Sequence, residues 1–122
     1  MNDHDYMQMA LDYAIENAVG DQGQVGAILV KDGQVVASGA SNDDLGLHAE
    51  QVVTDSSDEA EGSTLFVTVQ PSLYRTDDSI QSDSELITQA GITRVVVGAP
   101  NEKYSLQESQ EFFAKHDVDF EV

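Results

Sequence analysis

Three short apolar runs, Val25–Val30, Thr64–Val69 and Ile92–Gly98, constrain the fold of this chain more than any other feature. Each has the length and β-branched content of a strand rather than a helix. Lys31-Asp32-Gly33 follows the first run, and its Asp-Gly pair predicts a hairpin that returns along Gln34–Gly39. The second run halts before Pro71, which has no N–H to give to a central ladder. The third is continuously apolar, a pattern suited to burial on both faces. Helical patterns lie between these runs. Asp5 to Ala18 carries Met9, Leu11, Tyr13, Ile15 and Ala18 among polar residues, with small Ala10 and Ala14 on the inner face. Asp3 or Asp5 caps this helix, and Gly20 and Gly23 end it. Ala40 to Leu47 forms a polar loop running into a helix that starts at His48 or Ala49 and fades near Ser56. Asp58–Ser63 and Leu73–Asp78 are polar connections. Further helices are expected over Ser82–Ala90, closed by Gly91, and over Leu106–Lys115, before an alternating strand at Val118–Val122. The order α-β-β-α-β-α-β-α-β predicts three layers, with helices on both faces of one sheet.

At 122 residues and 40% hydrophobic content, the chain is expected to form one domain spanning 1–122. No apolar run approaches the ~18–20 residues that span a bilayer, so no membrane partner is expected. The acidic start, Met1-Asn2-Asp3-His4-Asp5, matches neither a secretory nor a transit signal, and a cytoplasmic location is expected. Five Lys+Arg against 23 Asp+Glu give a net charge of −18. The acids are dispersed among apolar residues, which points to a solvated surface adapted to a salt-rich, halophilic cytoplasm. The same charge excludes a nucleic-acid partner, because no basic stripe is available to neutralise phosphates. There is no cysteine, and hence no disulfide and no thiolate metal site.

His48-Ala49-Glu50 is followed about twenty residues later by Gln70-Pro71-Ser72. Met9-Ala10-Leu11-Asp12-Tyr13-Ala14, Val25–Gly33 and Ala90–Gly98 stand in order around these motifs. Together they resemble the cytidine/deoxycytidylate deaminase-like superfamily, and within it the pyrimidine deaminases of riboflavin synthesis, over about Met7 to Ala99. The resemblance implies an α/β/α sandwich around a mixed five-stranded sheet. It implies a zinc held by a His and two Cys, with a Glu relaying protons. Carried onto this chain, the metal position is His48 and the proton relay is Glu50. Asn42, Ala49 and Pro71 fall at substrate-binding positions, and Arg75 falls where a substrate phosphate is met.

Serine stands at the positions of both family cysteines. The first is Ser72. The second is Ser79 by the Tyr74-to-Ser79 segment, or Ser82 counting back from Leu86 and Ile87. A neutral hydroxyl is a poor zinc ligand, and catalytic zinc takes three protein ligands plus water. The expectation is therefore a non-catalytic or strongly modified member with no cofactor, keeping a pocket for a nucleobase-, nucleotide- or pteridine-like small molecule or acting as an oligomer partner, a homo-oligomer included. The alternative is an active deaminase, a hydrolase releasing ammonia, with zinc or another metal at an atypical site. Asp77, Asp78 and Asp83 lie near the lost ligands and offer a harder metal site, although in so acidic a chain they are expected at the surface. His4 and His116 are expected to be solvent-exposed. Metal-free use of His48 with Glu50 requires the helix to begin between them, since residues two apart on a helix diverge. Glu50 also suits a helix first turn. Asn42 also suits a turn, and Arg75 a surface ion pair with Asp77 or Asp78.

Overall fold

The computed structural model describes residues 1–20, 24–73 and 82–122. Strands β1 (Gly26–Lys31) and β2 (Gln34–Ala40) form the expected hairpin. Asp32 and Gly33 both take positive φ, 53° and 76°, as a turn matched to strand twist requires. Strand β3 (Thr64–Val69) pairs antiparallel with the other edge of β1. Strands β4 (Arg94–Ala99) and β5 (Asp119–Glu121) then add in parallel, giving one mixed five-stranded sheet in the order β2-β1-β3-β4-β5. This is the architecture implied by the resemblance.

Helix α1 (Asp3–Asn17) covers one face, and α2 (Ala49–Asp55), α3 (Asp83–Gln89) and α4 (Leu106–Lys115) cover the other. The division follows from the two-residue period of the strands. Ile28, Val30 and Phe66 point toward Tyr6 and Ala10 of α1, with the Tyr6 and Phe66 rings 5.1 Å apart. Ala27, Leu29, Leu65 and Val67 point the opposite way, toward Val53, Ile87 and Phe113. No helix among the described residues is long and apolar enough to cross a membrane.

Helix α1 departs from the sequence reading in two respects. It begins earlier, capped by Asn2, whose side chain accepts the Asp5 N–H while the Asp5 carboxylate accepts the Asn2 N–H. Its buried residues are Tyr6, Ala10 and Ala14, whereas Met9, Leu11 and Ile15 are exposed, Ile15 at 73%. Close approach explains the preference for small residues. A Cβ on Gly26 would lie 2.1 Å from the Ala10 carbonyl oxygen, so the helix backbone sits almost directly on β1 and large side chains must turn outward. Of the two glycines expected to end α1, the helix stops at Asn17 before Gly20, and Gly23 lies outside the described residues.

Strand β4 is less apolar in its surroundings than its sequence implied. Val95 and Val97 are buried, but Gly98 and Ala99 are exposed and Arg94 is half-buried. Arg94 is paired with Asp3 of α1 and, at 2.6 Å, with Glu121 of β5. These carboxylates hold the guanidinium more firmly protonated than usual, and Arg94 in turn holds the Asp3 carboxyl below its ordinary range.

Candidate active site

Strands β3 and β4 run parallel, and the crevice beyond their C-terminal ends is where an open α/β sheet places a ligand. A cavity of about 270 Å³ lies there. Val69, Gln70 and Ser72 line it from the end of β3, and His48, Ala49 and Glu50 line it from the start of α2. Asp83 enters from the first turn of α3, and Asn101, Lys103 and Tyr104 from the loop after β4. Val25, Ser41, Asp43 and Leu47 complete the lining.

Helix α2 begins at Ala49, with His48 in extended conformation as its N-cap residue. The chain therefore turns between His48 and Glu50, and both face one cavity, as metal-free use of the pair requires. The Gln51 side chain accepts the His48 N–H at 2.9 Å and fixes this entry to the helix. Glu50 is 3% exposed and occupies the first turn of α2, where the helix dipole favours a carboxylate. Ala49 is fully buried beside it.

The centre of the site is Asp83, which corrects its reading as one more surface acid. Asp83 is 4% exposed. Its Oδ2 lies 2.7 Å from His48 Nδ1 and accepts the Ser72 hydroxyl at 3.0 Å. The Asp83 N–H donates back to Ser72 Oγ at 3.0 Å, and the Ser84 N–H donates to the Ser72 carbonyl at 3.0 Å. Asp83 Oδ1 and the neighbouring Ser84 Oγ are buried without a hydrogen-bond partner among the described residues. Asp77 and Asp78 lie outside the described residues.

Ser82 is also buried, but its hydroxyl caps α3 by accepting the Glu85 N–H at 3.1 Å, and it does not line the cavity. Ser79, the other candidate for the second cysteine position, lies outside the described residues, as does Arg75. Pro71 is buried between two lining residues without lining the cavity itself. Asn42 lies just behind the wall formed by Ser41 and Asp43. Its Oδ1 accepts the Leu45 N–H at 3.2 Å and caps a 3₁₀ turn over Asp43–Leu45. His4 and His116 are exposed and lie away from the cavity.

Sequence reading missed Gln70 and the loop from Asn101 to Tyr104. Gln70 is 2% exposed, and its amide is a strut. Nε2 donates to Ser109 Oγ at 2.8 Å and to the Ser105 carbonyl at 3.3 Å, while Oε1 accepts the Asn101 N–H at 3.0 Å. It thus ties the end of β3 to the post-β4 loop and to α4. The signal was present in the topology. Once two runs are recognised as parallel neighbours, the polar segments after both become candidate ligand walls.

A sequence profile of the zinc-binding region of cytidine and deoxycytidylate deaminases matches residues 1–99. The riboflavin biosynthesis protein RibD of Actinobacillus pleuropneumoniae is 31% identical over 102 residues, which cover 81% of this chain and 27% of that protein. The Acinetobacter baumannii RibD structure is similar at a TM-score of 0.85 and 23% identity, over 98% of this chain and 34% of that one. The Thermotoga maritima diaminohydroxyphosphoribosylaminopyrimidine deaminase/5-amino-6-(5-phosphoribosylamino)uracil reductase gives a TM-score of 0.81 at 27% identity, over 98% of this chain and 36% of that one. The chain thus spans between about a quarter and just over a third of these relatives.

Proposed function

The chain belongs to the cytidine and deoxycytidylate deaminase family, and we propose that it is a strongly modified member. In this reading it holds a nucleobase-, nucleotide- or pteridine-like small molecule in the cavity at the ends of β3 and β4, without the family's zinc chemistry. One observation carries the reading. The side chains at two positions where the resemblance places metal ligands, His48 and Ser72, are both bonded to the Asp83 carboxylate. Zinc takes thiolate, imidazole or carboxylate donors, three of them from the protein in a catalytic site. Here Ser72 offers a neutral hydroxyl already engaged with Asp83, and the Ser82 hydroxyl is engaged in capping α3. The carboxylates of Glu50 and Asp83 reach the same cavity, but among the described residues no three His, Asp or Glu side chains come together as a metal site needs, which supports a pocket without the family's zinc.

The size of the cavity supports a small heterocyclic ligand. About 270 Å³ lies just below the ~300–1,000 Å³ typical of drug-sized pockets and suits one ring system better than an extended molecule. The Thermotoga relative is named for deaminating an aminopyrimidine nucleotide, which supports the ligand class. A second reading, an active hydrolase in which Glu50 relays protons, is favoured by one specific feature: His48 and Glu50 share the cavity.

Metal analysis by mass spectrometry, on protein purified in molar KCl without added metal, tests the two readings together with an ammonia-release assay on pyrimidine nucleotides. We expect no stoichiometric zinc, no ammonia, and saturable binding of a pyrimidine nucleotide or pterin by calorimetry. One zinc per chain with ammonia release abolished by Glu50→Gln would overturn the first reading in favour of the second.

A further inference from the structure

We propose that Asp83 is a positioning residue that takes over, with a carboxylate, the holding role a metal has in zinc-dependent deaminases: it gathers His48 and Ser72 and fixes which ring nitrogen of His48 faces the cavity. The inference deepens the metal-free reading above and rests on it. The donor directions follow from the bonds. Ser72 Oγ accepts the Asp83 N–H, so its own proton is directed to Asp83 Oδ2. Oδ2 is therefore an acceptor, and the proton in the 2.7 Å contact belongs to His48 Nδ1. In the neutral imidazole this leaves Nε2 unprotonated at the far end of the ring. The buried end is held against Asp83, while the His48 side chain as a whole is 40% exposed and lines the cavity beside Glu50.

Capping does not account for Asp83. Ser82 already caps α3, and Asp83 keeps a second oxygen buried without a partner among the described residues. An orphaned carboxylate oxygen costs free energy that a serine or alanine at this position would avoid. What the carboxylate provides in return is the bridge between α2 and the end of β3, made through His48 and Ser72.

The test is long-range ¹H–¹⁵N correlation of the histidine rings in the ¹⁵N-labelled full chain, treated with chelator, at roughly pH 8.5. That pH is about two units above the ordinary imidazole pKa of ~6.5. The wild type should show His48 protonated at Nδ1 alone. Asp83→Ala should move it mainly to the Nε2–H form that a free imidazole prefers, with His4 and His116 unchanged. Asp83→Asn keeps the shape and one acceptor oxygen, and guards against a misfolded alanine variant. It should retain the Nδ1 proton but exchange it with water roughly tenfold faster, because charge-assisted bonds are about twice as strong as neutral ones. An Nε2–H ring in the wild type, or an unchanged ring pattern and exchange rate in the variants, would overturn the role of Asp83. Titration with zinc chloride separates the two levels of inference. Uptake of one zinc per chain with displaced His48 signals defeats the metal-free reading itself. No uptake together with an unaltered ring in the variants defeats Asp83 alone.

Discussion

Gln70→Leu should destabilise the protein by about 3 kcal/mol, because the substitution keeps volume and removes a strut. Three bonds are lost: to Ser109 Oγ, the Ser105 carbonyl and the Asn101 N–H. Their costs differ with exposure. Ser109 is fully buried, so its hydroxyl is left without water and costs about 1–3 kcal/mol. Ser105 is exposed and Asn101 half-buried, so water can reach both, and each costs nearer 0.5–1.5 kcal/mol. The range is therefore about 2–6 kcal/mol. Urea unfolding at constant 2 M KCl measures it without changing ionic strength, as guanidinium would. A loss below ~1 kcal/mol would refute the strut. A double-mutant cycle sharpens the test. Ser109→Ala removes the orphaned hydroxyl, so the combined variant should be at least ~1 kcal/mol more stable than the sum of the single losses. Additivity within ~0.5 kcal/mol would show that the two groups are not coupled. Because Gln70 anchors the loop from Asn101 to Tyr104, the leucine variant should also lose affinity for whichever pyrimidine nucleotide or pterin the cavity binds.

Three further outcomes are expected. Melting temperature should rise between ~0.1 and ~2 M KCl as the −18 charge is screened, and a flat or falling curve would sink the high-salt adaptation. Arg94→Gln should flatten the acid limb of stability. The Asp3 carboxyl, held below its ordinary range by Arg94, contributes stability that is present above the usual aspartate pKa near ~4 and is lost as pH falls through the depressed value. The wild-type-minus-variant difference in melting temperature should therefore shrink toward pH 2; because the pair is exposed, it should be small throughout, and a difference that grows on acidification would contradict the assignment. Ala10→Leu should cost at least ~1–3 kcal/mol by overpacking α1 on β1, while Ile15→Ala should change stability by less than ~0.5 kcal/mol. The reverse order would show that the large apolar residues of α1 are its packing face.

The strands were legible in the sequence because their signals are local. A six-residue β-rich run ending before Pro71, and an Asp-Gly pair between two apolar runs, each bound an element without help from the rest of the chain. The inner face of α1 was only half legible. Its small Ala10 and Ala14 were identified, but the tendency to bury large residues competes with a requirement that Gly26 alone betrays, since the absence of a side chain there lets the helix backbone descend onto the sheet. Arg94 escaped for a similar reason. Its two acidic partners are 91 and 27 residues away along the chain, and no spacing rule joins them.

The site divides along the same line. His48 and Glu50 were visible as a pair, and the remaining question, whether they share a face, turned on one backbone position. The extended His48 before Ala49 answered it. Asp83 was visible as a residue but not as a participant, because one carboxylate among 23 acids carries no mark of burial. Its role depends on the parallel crossover from β3 through α3, which swings the first turn of α3 back to the end of β3 and brings Asp83 onto Ser72, 11 residues earlier. That crossover also explains what a serine does at position 72. A hydroxyl accepts the Asp83 N–H and donates to its carboxylate, satisfying a buried turn with two good bonds where a thiol would make two weak ones. Ser72 is thus suited to this carboxylate as a thiolate is suited to a metal, and the hydroxyl at 72 and the carboxylate at 83 make physical sense together.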